Sequence, residues 1–212
     1  MALTRVLDAG CGRGRRVDFG EAYVVGIDIA EYELGLNESL DERIVGDIQT
    51  YPLEPNSFDT IYCQDLLEHL PHPKAALHNM FRALRPGGTM HIGLPNLVSP
   101  KGLVTKFTPL RFHVWVYRNV FGRPWAGSPG YGPYKTYLRW SVRPNGIARL
   151  AIQEGLEVRE VELYEEPYFT AFWASRRTLW RLVKLAWRLV PGGANPALTE
   201  CRITLAKPTE AT

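Results

Sequence analysis

Hydrophobic and polar positions over the first 94 residues alternate between short apolar runs and turns that carry glycine or acid. Thr4 to Asp8 is one such run and stops at a glycine cluster; Ala22 to Ile27 is a second and ends at Asp28. Arg43-Ile44-Val45 precedes Gly46-Asp47, and Phe58 to Tyr62 follows the turn Pro55-Asn56-Ser57. Runs of this length without strict alternation predict interior strands of a parallel sheet, with polar groups at their carboxyl ends. Helical periodicity is expected from Asp65 to Leu70 and again from Pro73 to Leu84, where Ala76, Leu77, Met80, Phe81 and Leu84 form one apolar face. Pro86-Gly87-Gly88 is read as the stop of that helix, and Thr89 to Leu94 as a fifth strand apolar enough to need helices on both sheet faces. Strand, turn, helix and strand in repetition define an α/β fold with right-handed crossovers and a ligand site at the strand carboxyl ends.

From 95 to 144 the rhythm breaks. Pro95, Pro100, Pro109, Pro124, Pro129, Pro133 and Pro144 interrupt it, so this segment reads as an excursion over the sheet edge with one short helix between Phe107 and Phe121. Regular pattern resumes with Asn145 as a helix cap, Gly155 as the stop after Gln153, and a strand from Leu156 to Leu163. A helix over 172–190, closed by Pro191-Gly192-Gly193, lies between that strand and a last one from Cys201 to Ala206. A chain of 212 residues then makes one domain with an inserted segment.

Composition narrows the class. Apolar residues are 45% and charged residues 22%, enough to fill a core and wet a surface, which sets aside fibrous and disordered chains. Cys11, Cys63 and Cys201 are odd in number and widely spaced, which disfavours a zinc knuckle or disulfide framework and suits a reducing compartment. No leader pattern or long apolar window is present, so a cytoplasmic location is expected, with membrane association left to surface contact. Net charge is +3, but residues 1–94 hold 8 Lys/Arg against 14 Asp/Glu and residues 95–190 hold 15 against 6. An acidic front and a basic back imply a division of labour.

The strongest local signal is Val6-Leu7-Asp8-Ala9-Gly10-Cys11-Gly12-Arg13-Gly14. Glycines at 10, 12 and 14 let the chain turn sharply after a strand and bring backbone amides close to a ligand. Asp28 ends the next strand 20 residues after Asp8, the place from which a carboxylate accepts from ribose hydroxyls. Asp47 followed by Ile48 ends the third strand, an acceptor beside an apolar side chain that suits an adenine.

On these residues the chain resembles the class I S-adenosylmethionine-dependent methyltransferases, in particular the small-molecule, ubiquinone-biosynthesis-like branch. VLDAGCGRG at 6–14, VVGID at 24–28, GDIQTYPLEPNSFDTIYC at 46–63, LLEHLPHP at 66–73 and LRPGG at 84–88 carry the resemblance. It implies a Rossmann-like, seven-stranded, mostly parallel sheet with the last strand antiparallel. It also implies S-adenosyl-L-methionine as cofactor, with Asp8 and the loop Gly10, Cys11, Gly12 and Gly14 around its methionine part, Asp28 on the ribose, Asp47 and Ile48 at the adenine, and Ile29 as a further cofactor-binding residue. A nicotinamide site expects GxGxxG rather than the GxGxG seen here. Two departures stand out: three residues precede the first strand, so the helices that cover the cofactor from that side in the family are expected to be missing or reduced, and the helix from Arg13 to Phe19 is short and basic with Arg15 and Arg16. Either another part of the chain closes the site, or it stays open until substrate arrives.

Methyl transfer to a hydroxyl gains from a base that takes its proton, and an imidazole titrates in the right range. His69, after the fourth strand, is the first candidate and His113 in the excursion the second; His72 also follows the fourth strand, His78 sits on the helix between strands, and alternation through the fifth strand makes His91 a buried or surface residue. Asp65, Glu68 and His69 have the ligand types of a hard-metal site if they share a helical turn, but capping and solvation account for them equally, and no metal is assigned.

The excursion carries Lys101, Lys106, Arg111, Arg118, Arg123, Lys135, Arg139 and Arg143 with no acid, interleaved with aromatics such as Trp115, Tyr134 and Trp140. That suits recognition of a small-molecule, glycan or lipid-linked acceptor with an apolar body and anionic groups, or a lid whose charges face water. In the 172–190 helix, Trp173, Trp180 and Trp187 recur every seven residues beside Arg177, Arg181, Lys184 and Arg188, with Leu179, Leu182, Ala186 and Leu189 opposite. The expectation is a leucine stripe toward the core and a tryptophan–arginine stripe toward an anionic membrane, the excursion or a second copy in a homodimer. Nucleic acid fits less well: an Asn or Asp with Pro-Pro and an aromatic, the signature of amino-methylating enzymes, is replaced after strand four by Tyr62-Cys63-Gln64-Asp65. The sequence therefore points to an O-methylating enzyme, with a noncatalytic cofactor-binding protein and an RNA methyltransferase as the other classes.

Overall fold

A computed structural model describes residues 3–14, 17–128, 130–174, 176–189 and 195–209. Its strands are β1 (Arg5–Ala9), β2 (Tyr23–Asp28), β3 (Glu42–Val45), β4 (Phe58–Gln64), β5 (Leu84–Pro95), β6 (Glu157–Tyr164) and β7 (Glu200–Ala206). Its helices are α1 (Glu31–Gly35), α2 (Pro73–Ala83), α3 (Pro100–Phe107), α4 (Leu110–Asn119), α5 (Pro144–Gln153), α6 (Pro167–Ala174) and α7 (Arg177–Trp187). The strands form one sheet in the order β3-β2-β1-β4-β5-β7-β6. β1 to β5 pair in parallel, and β7 runs antiparallel between β5 and β6. Strand order reverses between β1 and β4, which puts the glycine turn after β1 and the residues after β4 at the same cleft.

The core lies on one sheet face. Ile61 and Cys63 of β4, Met90 and Ile92 of β5, and Ile203 and Leu205 of β7 are fully buried against Leu77 and Met80 of α2 and Ile147 and Ala151 of α5. Each large apolar side chain enclosed in this way contributes about 1.5–3 kcal/mol. The opposite face is built differently from the two-sided cover the apolar strands imply. There α1 packs Leu34 with Val24, Leu40 and Cys11, whereas β4, β5 and β7 present half-exposed Thr60, Tyr62, His91 and Thr204. Polar and aromatic side chains at alternate positions make that outer stretch tolerant of water. All three cysteines are buried and unpaired by disulfide, and burial pushes the Cys201 thiol up to about 12.

Several local expectations are corrected. No helix follows the glycine turn among the described residues; Arg15 and Arg16 lie outside them. Asp65 to Leu70 is not a helical turn: only Leu67–His69 form a short 3-10 turn, and Asp65 has φ 51°. A residue in the left-handed region cannot continue a helix, so the i, i+3, i+4 geometry that a metal at Asp65, Glu68 and His69 requires is not formed. Pro86-Gly87-Gly88 does not stop α2, which ends at Ala83; these residues already belong to β5, where the register against β4 shifts. Gly87 donates to the Lys207 carbonyl at 2.8 Å, so the backbone there is already paired. Arg143, not Asn145, caps α5, because Pro144 takes the first helical position, where its missing N–H costs nothing. The excursion holds two helices rather than one, α3 starting at Pro100 behind the Ser99 cap, whose side chain accepts from Gly102 N.

The single helix expected over 172–190 is two, α6 and α7, broken around Arg176; Val190 and the stop Pro191-Gly192-Gly193 lie outside the described residues. Its sidedness is the reverse of the expectation. Trp173 and Trp180 stack at 4.7 Å between ring centroids, and Trp173 and Trp187 line an internal cavity. Leu179, Leu182, Leu185 and Leu189 point outward and are 52–85% exposed. Indoles supply more contact area than leucines, and the aromatic cluster of Phe169, Phe172 and Phe121 gives them partners.

Candidate active site

The turn after β1 is shaped by three left-handed glycines, Gly10 (φ 68°), Gly12 (φ 50°) and Gly14 (φ 111°). Gly10 N donates to the Ile27 carbonyl at 2.8 Å, tying the turn to the end of β2. A Cβ on Gly12 meets nothing within 4 Å, so the loop backbone there faces open space. Asp28, at the tip of β2, accepts from Gly12 N at 2.9 Å with one oxygen and from Ala30 N at 2.8 Å with the other. Its carboxylate thus joins the glycine turn to the segment leading into α1. Asp47, after β3, accepts from Gln49 backbone N and Nε2, both at 2.9 Å. Gln49 in turn accepts from His72 N at 2.8 Å, so the third strand tip is fixed to the entry of α2.

Two cavities open at the strand tips. One of about 510 Å³ is lined by the Gly10–Gly14 loop, Val17, Tyr62, Gln64 and Asp65. The other, about 1160 Å³, lies under α3, α4, α6 and α7 and also includes Gln64 and Asp65. The same two side chains therefore form the wall between a glycine-loop compartment and a larger one lined by aliphatic and aromatic side chains. Gln64 Nε2 donates to Asp65 Oδ1 at 3.0 Å, and Asp65 N donates to the Gly93 carbonyl at 2.9 Å. Gly93 makes room for this: a Cβ there comes to 1.8 Å from Gln64 Oε1.

The predicted residues are therefore distributed as follows. Gly10, Cys11, Gly12 and Gly14 line the smaller cavity; Asp8 is buried in β1 beneath them. Asp28 is bonded to the loop, Asp47 and buried Ile48 sit at the neighbouring tip, and the Ile29 side chain is exposed on the rim. His69 and His113 both line the larger cavity. His69 is the better placed of the two. Its Nδ1 lies 2.8 Å from the Lys135 carbonyl, which only accepts, so the proton sits on Nδ1 and Nε2 is left as a base. Burial pushes its pKa below the ordinary 6.5, opposed by the Lys135 carbonyl and by Asp65, so the neutral form dominates at pH 7. His113 Nε2 is instead engaged by the Thr108 hydroxyl at 2.7 Å.

Sequence reasoning missed three features. The first is the Gln64–Asp65 partition, whose only signal was the departure at Tyr62-Cys63-Gln64-Asp65. The second is the strap over the cleft: Arg13 pairs with Glu33 and lies 5.7 Å from the Tyr131 ring, while Tyr137 N and Leu138 N both donate to the Glu68 carbonyl, at 2.8 and 3.0 Å. Residues 130–138 of the excursion thus cross from the glycine loop to His69, which Tyr134 meets edge-on at 5.9 Å. The third is the sign of the larger cavity. Its ionisable lining is Asp65, Glu68, Glu166 and Glu200 against Lys101, His69 and His113, so it is acidic, contrary to the anion-gripping role expected of the basic segment. Lys101 pairs with both Glu166 and Glu200; burial raises the pKa of Glu200 and Lys101 only partly offsets this. Among the described residues no cluster of three His, Cys, Asp or Glu side chains has metal-binding geometry.

A sequence model described as a methyltransferase domain matches residues 7–92, the segment that builds β1 to β5 and the glycine loop. Ubiquinone biosynthesis O-methyltransferases of Neisseria meningitidis serogroup C and Dechloromonas aromatica are each 31% identical, over 181 and 172 residues, covering 74% and 76% of this chain and 66% and 68% of theirs. The chain thus spans about two thirds of the length of these relatives. An S-adenosylmethionine-dependent methyltransferase structure from Mesorhizobium loti superposes with a TM-score of 0.58 at 16% identity, over 96% of this chain and 90% of its own. That last likeness establishes the fold alone. With the sheet order and glycine loop, the first two place the chain in the class I S-adenosylmethionine-dependent methyltransferase family, in its small-molecule branch.

Proposed function

We propose that the protein transfers a methyl group from S-adenosylmethionine to a hydroxyl at the inner end of an amphiphilic acceptor. The observation that carries this is the shared wall: the glycine-loop cavity and the aromatic cavity meet at Gln64 and Asp65, with His69 lining the second. The open face at Gly12 and the carboxylates of Asp28 and Asp47 suit the cofactor, with Asp8, Gly10, Cys11 and Gly14 around its amino-acid end and Ile29 and Ile48 flanking the adenosine. When bound there, the cofactor supplies a sulfonium methyl to an oxygen lone pair held in line with it.

The protein's part is positioning and proton management. Gln64 and Asp65 orient the groups that meet across the partition, and alignment of this kind supplies a large share of the acceleration in bimolecular transfers. His69 Nε2 accepts the hydroxyl proton, while the Lys135 carbonyl holds the ring in the tautomer that permits it. His113 contributes to the cavity wall. Carboxylates at the inner end repel an anionic acceptor head, so a neutral polyol, sugar or phenol joined to an apolar body fits better than a phosphorylated one. The names of the ubiquinone biosynthesis relatives favour oxygen as the acceptor atom. Calorimetric titration with S-adenosylmethionine and S-adenosylhomocysteine tests the cofactor assignment. Labelled-methyl transfer to panels of neutral and phosphorylated amphiphiles tests the acceptor; preference for the phosphorylated set refutes the role given to the carboxylates.

A further inference from the structure

The outward face of α7 is the largest feature that the methyl-transfer reading leaves unused. None of its residues is buried, and Leu179, Leu182, Leu185 and Leu189 are 52–85% exposed. At 100° per residue these leucines span one sector of the helix, Arg177, Arg181, Lys184 and Arg188 a second, and Trp180 and Val183 the third. Val183 lines the large cavity together with Ala186 and Trp187, and Trp180 stacks on Trp173. An exposed apolar stripe flanked by cations is the pattern of a helix lying in a bilayer interface, with leucines in the acyl boundary and cationic heads at the phosphates.

Charge argues against a like-face dimer and for an anionic surface. Residues 95–144 and 167–199, which supply α3, α4, α6 and α7, carry 13 Lys and Arg and no Asp or Glu. A second copy meeting this face with the same face brings cations against cations, with no acid in either segment to receive them. An anionic lipid surface complements it. The other helices around the cavity also expose apolar side chains: Phe107 and Trp115 are exposed, and Val104, Phe112 and Val120 are at once exposed and part of the cavity lining. On α3 and α4, exposed apolar side chains therefore reach the cavity rim. No helix among the described residues is long and apolar enough to cross a membrane, and α7 has 11 residues, so the arrangement is one of lying on the bilayer.

We infer that α7 docks leucine-side down on anionic bilayers and that the cavity rim on α3 and α4 faces the lipid, so an amphiphilic acceptor enters from the membrane. Docking itself does not rest on methyl transfer, and its readout is partition rather than turnover. The test is co-sedimentation with vesicles of phosphatidylcholine containing phosphatidylglycerol, with pure phosphatidylcholine alongside. Leu182→Glu/Leu185→Glu and Arg181→Glu/Arg188→Glu are the variants, each checked by circular dichroism and Tm. Because Arg181, Leu182 and Leu185 on the helix and Arg188 at its C-cap are all exposed, folding is expected to survive. The wild-type protein is expected to pellet with the anionic vesicles and far less with neutral ones, and each double variant to lose about tenfold or more of its partition. Wild-type protein left in the supernatant with anionic vesicles, or leucine variants that pellet like wild type, overturns the inference. So does a wild-type dimer in analytical ultracentrifugation that the leucine variant dissociates while neither form binds vesicles.

Discussion

Gly93→Ala probes the partition between the two cavities with little disturbance elsewhere. Gly93 lies in β5 opposite Gln64 and Arg202 and is not among the glycines with positive φ, so alanine is conformationally acceptable. The new methyl would stand 1.8 Å from Gln64 Oε1, 2.3 Å from its Cδ and 2.4 Å from its Nε2. All three are atoms near the end of a flexible side chain, so Gln64 swings away while the strand stays. Losing its 3.0 Å bond to Asp65 and taking a poorer rotamer costs about 1–2 kcal/mol. Replacing glycine returns about 0.4–1 kcal/mol through the unfolded state. The net change, about 0 to 1.6 kcal/mol, moves Tm by no more than about 3–6 °C. Turnover is expected to fall much further, by about 10²-fold, because a displacement on the order of 1 Å at the junction misaligns the two reactants. Calorimetry and a labelled-methyl assay give both numbers. Wild-type turnover in a normally folded variant would refute a working role for the Gln64–Asp65 wall; a collapse of Tm would show that the strand, and not the side chain, gives way.

Other expectations follow from the same geometry. His69→Gln lowers kcat by about 10²- to 10⁴-fold, and the wild-type acid limb falls below 6.5, since neutral imidazole is required and burial holds its pKa under that value; an acid limb above 6.5 contradicts the assignment. His69 and His91 are both depressed by burial, so the unfolded chain binds protons near pH 6 that the folded one does not, and urea titrations should find stability falling as pH drops from about 7.5 to about 5.5. Asp28→Ala removes the acceptor of Gly12 N and Ala30 N and should weaken S-adenosylhomocysteine binding by about 1–3 kcal/mol in calorimetry. Gly26→Ala puts a methyl 2.4 Å from Leu40 Cδ1 and 2.8 Å from Cys11 Sγ, and should lower stability by about 1–3 kcal/mol in denaturant melts.

What was legible in the sequence was whatever depends on local pattern. Buried strands announce themselves by apolar runs, and Gly10, Gly12 and Gly14 by a turn that other residues cannot make, so β1 to β4, the second half of β5 and the loop at their tips were readable to within a few residues, while the first half of β5 was mistaken for a helix stop. Asp65 was not: aspartate tolerates the left-handed region without requiring it, and the backbone bond from Asp65 N to the Gly93 carbonyl joins residues that no local pattern brings together. The 167–187 hairpin failed for a related reason. Helical spacing correctly separated tryptophans from leucines, yet periodicity alone does not say which side turns inward; that was decided by Phe121 and Phe169, residues distant or outside the repeat. The strap at 130–138 was hidden because Arg13, Glu33 and Tyr131 meet only in three dimensions.

The placement of the three thiols has a practical consequence. Cys11 sits in the glycine loop, Cys63 in β4 and Cys201 in β7, each enclosed. Buried thiols react with alkylating reagents only during openings that admit solvent. The natural chain thus carries three internal clocks at separate stations along the sheet, and labelling rates followed by mass spectrometry would time how each part breathes without any introduced probe.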